Sequence, residues 1–121
     1  YTVDVITCAA PNLREKPSNA FNTGDGKDAI KITDKDLLAI HEKRIRRILD
    51  VTLNHGVETI VLGAFGCGAF MNNPNVVAQA SKNVLNEYLY AFKNIEFAVY
   101  CSPKDDINYR IFDRVFRPYT K

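Results

Sequence analysis

Three features of the sequence predict an α/β layered domain with a largely parallel sheet. Strand-like and helix-like apolar periods alternate in the order strand, loop, helix, strand, helix, strand, helix. Residues 58–64, Glu-Thr-Ile-Val-Leu-Gly-Ala, form an apolar run of the kind a parallel strand shows when both its faces are covered. No internal repeat or low-complexity segment interrupts that order. The 121 residues, 46% apolar and 25% charged, fit one globular domain or part of one and exclude collagen, coiled coil and disorder. A chain of this length buries roughly two thirds of its unfolded surface, enough for a small core if all the elements are present.

The first strand is read at residues 2–8, where Val3, Val5 and Thr7 alternate with Thr2, Asp4 and Ile6, and it stops ahead of Pro11. Residues 12–33 are polar, contain Pro17, Gly24 and Gly26, and show no period, which predicts a long surface loop. A helix follows from Asp34 to Asn54. Thr33 with Asp36 resembles a capping box, Gly56 supplies the stop, and Leu37, Leu38, His41, Ile45, Ile48, Leu49 and Thr52 recur at helical steps. Lys43, Arg44, Arg46 and Arg47 fall mostly on the other side. They read as a solvated helix face, with a nucleic-acid patch as the alternative.

After the apolar strand, Asn73 as N-cap and Pro74 at the first helical position open a second helix. Its inward face is read as Val77, Ala80, Val84, Leu85, Tyr88, Leu89 and Phe92, ending near Lys93–Asn94. Residues 95–101 form the third strand. Ser102-Pro103 then caps a last helix with Ile107, Ile111, Phe112, Val115 and Phe116 inward, and Pro118 closes the fold. In such sheets ligands bind beyond the carboxyl ends of the strands, here residues 8–12, 63–70 and 101–109.

Charge excludes little: sixteen Lys and Arg against fourteen Asp and Glu leave +2. No leader pattern and no stretch of about 18 apolar residues is found, so no membrane partner is expected. Cys8, Cys67 and Cys101 are odd in number and form no CxxC pair, which suits a reducing cytoplasm and neither disulfides nor structural zinc. The chain opens directly on a strand pattern without an initiator Met, and the expectation is a fragment of a longer protein.

The strongest chemical signal is Gly63-Ala64-Phe65-Gly66-Cys67-Gly68-Ala69-Phe70, between a buried strand and a capped helix. Its glycines permit a tight turn whose N–H groups can face an anion, with a diphosphate as the natural guest. The alternative is a close strand-to-helix turn with Phe65 and Phe70 as anchors. The glycine spacing is not that of the dinucleotide-binding fingerprint, and no Gly-Lys-Ser/Thr makes it a nucleotide P-loop. No arginine follows Cys67 within residues 68–75, which excludes a cysteine phosphatase. Neither His41 nor His55 is placed to activate Cys67 as a nucleophile, and the scattered His and Asp residues meet no metal-ligand spacing.

The run Val61 to Phe70 with Asn73-Pro74, preceded by residues 7–12 (Thr-Cys-Ala-Ala-Pro-Asn) and followed by Cys101-Ser102-Pro103, closely resembles the microbial-type poly(ADP-ribose) glycohydrolases across essentially the whole chain. The resemblance implies a three-layer macro-domain-like fold with a mostly parallel or mixed sheet, here its C-terminal part, with residues 1–121 as one partial domain. It implies that Gly66, Cys67, Gly68 and Ala69 bind the diphosphate of ADP-ribose and that Phe70 packs on the ribose farther from the adenine. By looser similarity Asn108 or Tyr109 faces the adenosine side, with core packing as the alternative for Tyr109. ADP-ribose, poly(ADP-ribose) and ADP-ribosylated proteins are the implied partners; no cofactor, metal or direct nucleic-acid binding is expected.

One departure stands out. The family's acid chemistry comes from a triple-glycine segment followed by a glutamine and two adjacent glutamates, ahead of the strand that opens this chain. This sequence has no Gly-Gly-Gly and no Glu-Glu pair. Glycosidic cleavage needs a carboxylic acid to protonate the leaving oxygen. Glu15, Glu42, Glu58, Glu87 and Glu96 are isolated, and nothing in the spacing of Glu15, Asp25 or Asp28 argues for that role, so no catalytic residue is assigned. The resemblance also places a strand from the absent part between the first strand and the glycine-loop strand. An open sheet edge is therefore expected, completed by a second copy or by a preceding segment.

Overall fold

The computed structural model describes residues 1–14 and 30–120. The loop expected at 12–33 falls largely on residues 15–29, so Glu15, Asp25 and Asp28 lie outside the described residues. The elements are α1 (Asp34–Asn54), β1 (Thr59–Leu62), α2 (Pro74–Leu85), β2 (Asn94–Phe97) and α3 (Ile107–Phe116), with a 3-10 turn at Arg117–Tyr119.

Both ends of α1 follow from side-chain chemistry. Thr33 Oγ1 accepts the Asp36 N–H at 3.1 Å and donates to the Asp36 carboxylate at 2.7 Å. At the other end Gly56 adopts φ 71°, its N–H reaches Leu53 O, and the Val57 N–H reaches Thr52 O. That pair of bonds is a Schellman stop, which a residue with a Cβ enters at a cost. The expected apolar stripe is the buried one: Leu37, His41, Ile45, Leu49 and Thr52. On the opposite side, Lys43 and Arg47 are exposed and Arg46 pairs with Glu87.

β1 and β2 are parallel, in register from Thr59 with Asn94 to Leu62 with Phe97, and α2 is the crossover between them. The α2 helix packs against both α1 and α3. Ile45 and Leu49 of α1, Ile60 of β1, Ala80, Val84 and Leu85 of α2, and Phe92 form the main core. Phe97 stacks on Phe116, and with Val77, Ala78 and Phe112 this closes the core beneath α3.

The structure corrects several expected boundaries. Residues 2–8 form no strand; Val3 and Val5 are 72% and 82% exposed, because no described strand offers them a ladder or a half-buried surface. The run at 58–64 yields only Thr59–Leu62, with one face covered: Ile60 is buried, whereas Val61 is 61% exposed. The third strand stops at Phe97 instead of running to Cys101. The α2 helix ends at Leu85, and 3-10-like bonds from Glu87, Tyr88 and Ala91 turn the chain so that Phe92 enters the core. Ser102-Pro103 opens a turn, closed by reciprocal Ser102 and Asp105 backbone bonds, so α3 starts only at Ile107. Ile107, expected inward, is 62% exposed as a result. Both outer edges of the two-stranded sheet are unpaired among the described residues.

Candidate functional site

The candidate site is the connection from β1 to α2. The Cys67 N–H closes a first turn onto Ala64 O at 3.0 Å, the Met71 N–H a second onto Gly68 O at 3.0 Å, and the Asn72 N–H returns to Gly66 O at 3.0 Å. Gly66 at φ 78° and Met71 at φ 59° take left-handed conformations to allow this path. The consecutive N–H groups of Gly68, Ala69 and Phe70 donate to no acceptor among the described residues, and Gly68 and Ala69 are exposed. Successive free amides in a tight turn make an anion-binding concavity. The Cys67 amide, one of the expected diphosphate donors, is already used inside the loop.

The two glycines differ. A Cβ at Gly66 would lie 2.6 Å from Asn72 Nδ2 and 2.8 Å from Ala10 Cβ, whereas a Cβ at Gly68 would meet nothing within 4 Å. Gly66 is required by packing and backbone; Gly68 fronts open space.

Behind the loop lies Asn72, 2% exposed and given no role by sequence reasoning. Its Nδ2 donates to Pro11 O at 2.7 Å, Gly66 O at 2.9 Å and Phe70 O at 3.3 Å. Its Oδ1 lies 2.8 Å from Nε2 of His41, which is fully buried and edge-on to Phe65. His41, read from the sequence only as a residue of the α1 stripe that is not placed to activate Cys67, therefore stands directly behind the glycine loop. A helical period shows that a residue faces inward, not what it meets there. Burial holds the His41 imidazole below its ordinary range; the Asn72 hydrogen bond opposes that shift and the Arg44 charge adds to it.

The segment after the unformed first strand is pinned against the same loop. Arg44 Nη1 donates to Ala9 O at 2.7 Å, and the Leu13 N–H donates to Phe70 O at 3.1 Å. Two of the three sequence-predicted strand ends, 8–12 and 63–70, thus converge. The third contributes Asn108, whose Nδ2 reaches Cys67 O at 3.5 Å. Tyr109 is 48% exposed and lines an apolar groove with Phe97, Phe112 and Phe116. Asn108 thus adjoins the loop, whereas Tyr109 faces that groove.

Cys67 packs near Val77, Ala78 and Phe112, and burial pushes its thiol up to about 12, which opposes a thiolate role. Among the described glutamates, Glu42 is bonded to Asn83, Glu58 to Lys93 and Glu87 to Arg46; Glu96 lies exposed on β2. None of these bonds brings a carboxylate to the loop. Among the described residues no three His, Cys, Asp or Glu side chains are grouped to hold a metal ion.

No protein-family model matches the sequence, and no curated protein matches it. Solved structures do. The crystal structure of poly(ADP-ribose) glycohydrolase from Deinococcus radiodurans in complex with ADP-ribose is 31% identical, with a TM-score of 0.65 over 71% of this chain and 35% of that one. A threonine-to-arginine variant of the same enzyme, also with ADP-ribose, gives 30% and 0.66 over the same shares. The apo form gives 31% and 0.62 over 69% of this chain and 35% of that one. The matched part is therefore poly(ADP-ribose) glycohydrolase-like, with a macro-domain-like fold, and it spans about a third of the solved chains.

Proposed function

We propose that this chain is the ADP-ribose-binding part of a poly(ADP-ribose) glycohydrolase-like protein, with the loop from Gly66 to Phe70 holding the diphosphate. The observation that carries the reading is the run of three amides, Gly68 to Phe70, unpaired among the described residues, in a chain similar to enzyme structures with ADP-ribose bound. In this reading those amides bind the diphosphate oxygens, and Gly66 and Cys67 shape the turn. The half-buried Phe70 ring packs on the distal ribose. Of the two adenosine-side candidates, Asn108, against the loop, serves that role.

The full protein would hydrolyse the ribose–ribose O-glycosidic bond. A carboxylic acid protonates the leaving oxygen, the sugar departs with oxocarbenium character, and water attacks the anomeric carbon. The described glutamates that form hydrogen bonds do so away from the loop. That observation favours a second reading for this chain by itself, a module that binds ADP-ribose or another nucleoside diphosphate without cleaving it. Calorimetric titration with ADP-ribose, followed by an assay for ADP-ribose released from modified protein, separates the two. Binding without release supports the module, release supports a complete hydrolase, and no binding contradicts both.

A further inference from the structure

We propose that His41 and Asn72 are the positioning residues of the diphosphate loop, a buried pair that turns the loop's carbonyls inward so that its free amides face a diphosphate. The proposal rests on the reading of that loop as the diphosphate site. Both side chains are sealed from solvent, at 0% and 2% exposure, so they act on a ligand only through the backbone they hold.

What each atom is able to do fixes the orientation of the pair. The carbonyls of Pro11, Gly66 and Phe70 only accept hydrogen bonds, so the Asn72 amide nitrogen must face them. Its oxygen is thereby directed at His41, and Nε2 of His41 must carry the proton it donates at 2.8 Å. In a neutral ring Nδ1 is then bare, and Nδ1 is a buried polar atom without a partner among the described residues. An orphaned buried acceptor is a cost that natural structures rarely carry. Here it accompanies a fixed tautomer.

The consequence falls on the loop. Gly66 O accepts from both the backbone and the side chain of Asn72, and Phe70 O accepts from Asn72 Nδ2 and the Leu13 N–H. Both oxygens that bracket the free amides are thus held inward, away from an incoming anion. The same packing explains why residue 66 has no room for a Cβ: the Asn72 amide and Ala10 occupy that space. An anion site of backbone amides gains affinity when it is preorganised, because no ordering is left to be done on binding.

His41→Leu removes the donor and His41→Gln restores one near the Nε2 position, so the pair separates hydrogen bonding from filling of the core. In calorimetric titrations of the folded 121-residue chain, His41→Leu is expected to weaken ADP-ribose by about tenfold or more, with His41→Gln within about threefold of the native chain. Native affinity in a folded His41→Leu variant would overturn the positioning role while leaving the diphosphate reading intact. Equal losses in both folded variants would also overturn it, since the restored donor would then have done nothing. No binding by the native chain would overturn the diphosphate reading, and the proposal with it. If His41→Leu does not fold, the nitrogen-15 spectrum of the native histidine decides. A protonated Nε2 with a bare Nδ1 supports the pair, and the opposite tautomer overturns it.

Discussion

A methyl group at Gly66 would have to share space with Asn72 Nδ2 and Ala10 at a backbone angle of φ 78°, whereas a side chain at Gly68 projects into open space. Gly66→Ala is therefore expected to lower stability by about 1–3 kcal/mol, the usual cost of forcing a Cβ into the left-handed region, measurable as a shifted urea midpoint. Gly68→Val should leave that midpoint close to native and abolish detectable ADP-ribose binding; unchanged affinity rejects the loop as the phosphate site. Cys67, its thiol pushed up to about 12, should resist iodoacetamide at pH 8 while the exposed Cys8 and Cys101 react. Equal labelling of all three would show that the loop opens.

His41 carries a pH signature whose sign can be worked out. Its folded pKa lies below the ordinary 6.5, so the unfolded chain binds the extra proton first as pH falls. Stability contributed by neutral His41 is complete above pH 6.5 and is lost as pH drops from 6.5 toward the folded pKa. His41→Gln should flatten that part of the urea-stability profile, and a profile unchanged by the substitution contradicts the assignment. The tight turn between β1 and α2 was legible in the sequence, because glycines between an apolar strand and a capped helix permit a sharp change of direction. Asn72 and His41 were not, since an asparagine beside a turn and a histidine on an apolar helix stripe carry no sign of the bond that joins them across 31 positions.

At the scale of elements, legibility followed punctuation. The α1 boundaries were readable at both ends because Thr33 and Gly56 each solve a hydrogen-bonding problem at a helix terminus. Thr33→Ala should cost about 1 kcal/mol, the usual value of an N-cap side chain, and a loss near zero would show that Asp36 alone closes that end. The α2 start was equally clear from Asn73-Pro74, and its end was not. Tyr88, Leu89 and Phe92 continue the apolar spacing past Leu85 with no Gly or Pro to mark the stop. Ser102-Pro103 is the opposite case, a helix-start signature used for a four-residue turn closed by the Ser102 and Asp105 backbones. Such local signals are shared by turns and N-caps, because both satisfy the same amides with a serine oxygen.

On the scale of the whole molecule, the sheet is where sequence and structure part. Strand composition at residues 2–8 and around Val61 describes surfaces that fit a sheet interior, and the described residues supply only β2 as a partner. The helical layer on the Ile60 side, by contrast, is fully assembled from Leu49, Val84 and their neighbours. It presents the β1–α2 loop beside the Ala9–Leu13 segment, which is the juxtaposition the functional reading needs. In the proposed function the diphosphate of ADP-ribose sits on the amides of residues 68–70, backed by Asn72. Backbone amide resonances followed during titration of the nitrogen-15-labelled chain with ADP-ribose test it most directly. The largest shifts are expected on Gly68, Ala69 and Phe70, with little change in α1 beyond His41. Shifts confined to the groove lined by Phe97, Phe112 and Phe116, with residues 68–70 unmoved, would contradict it.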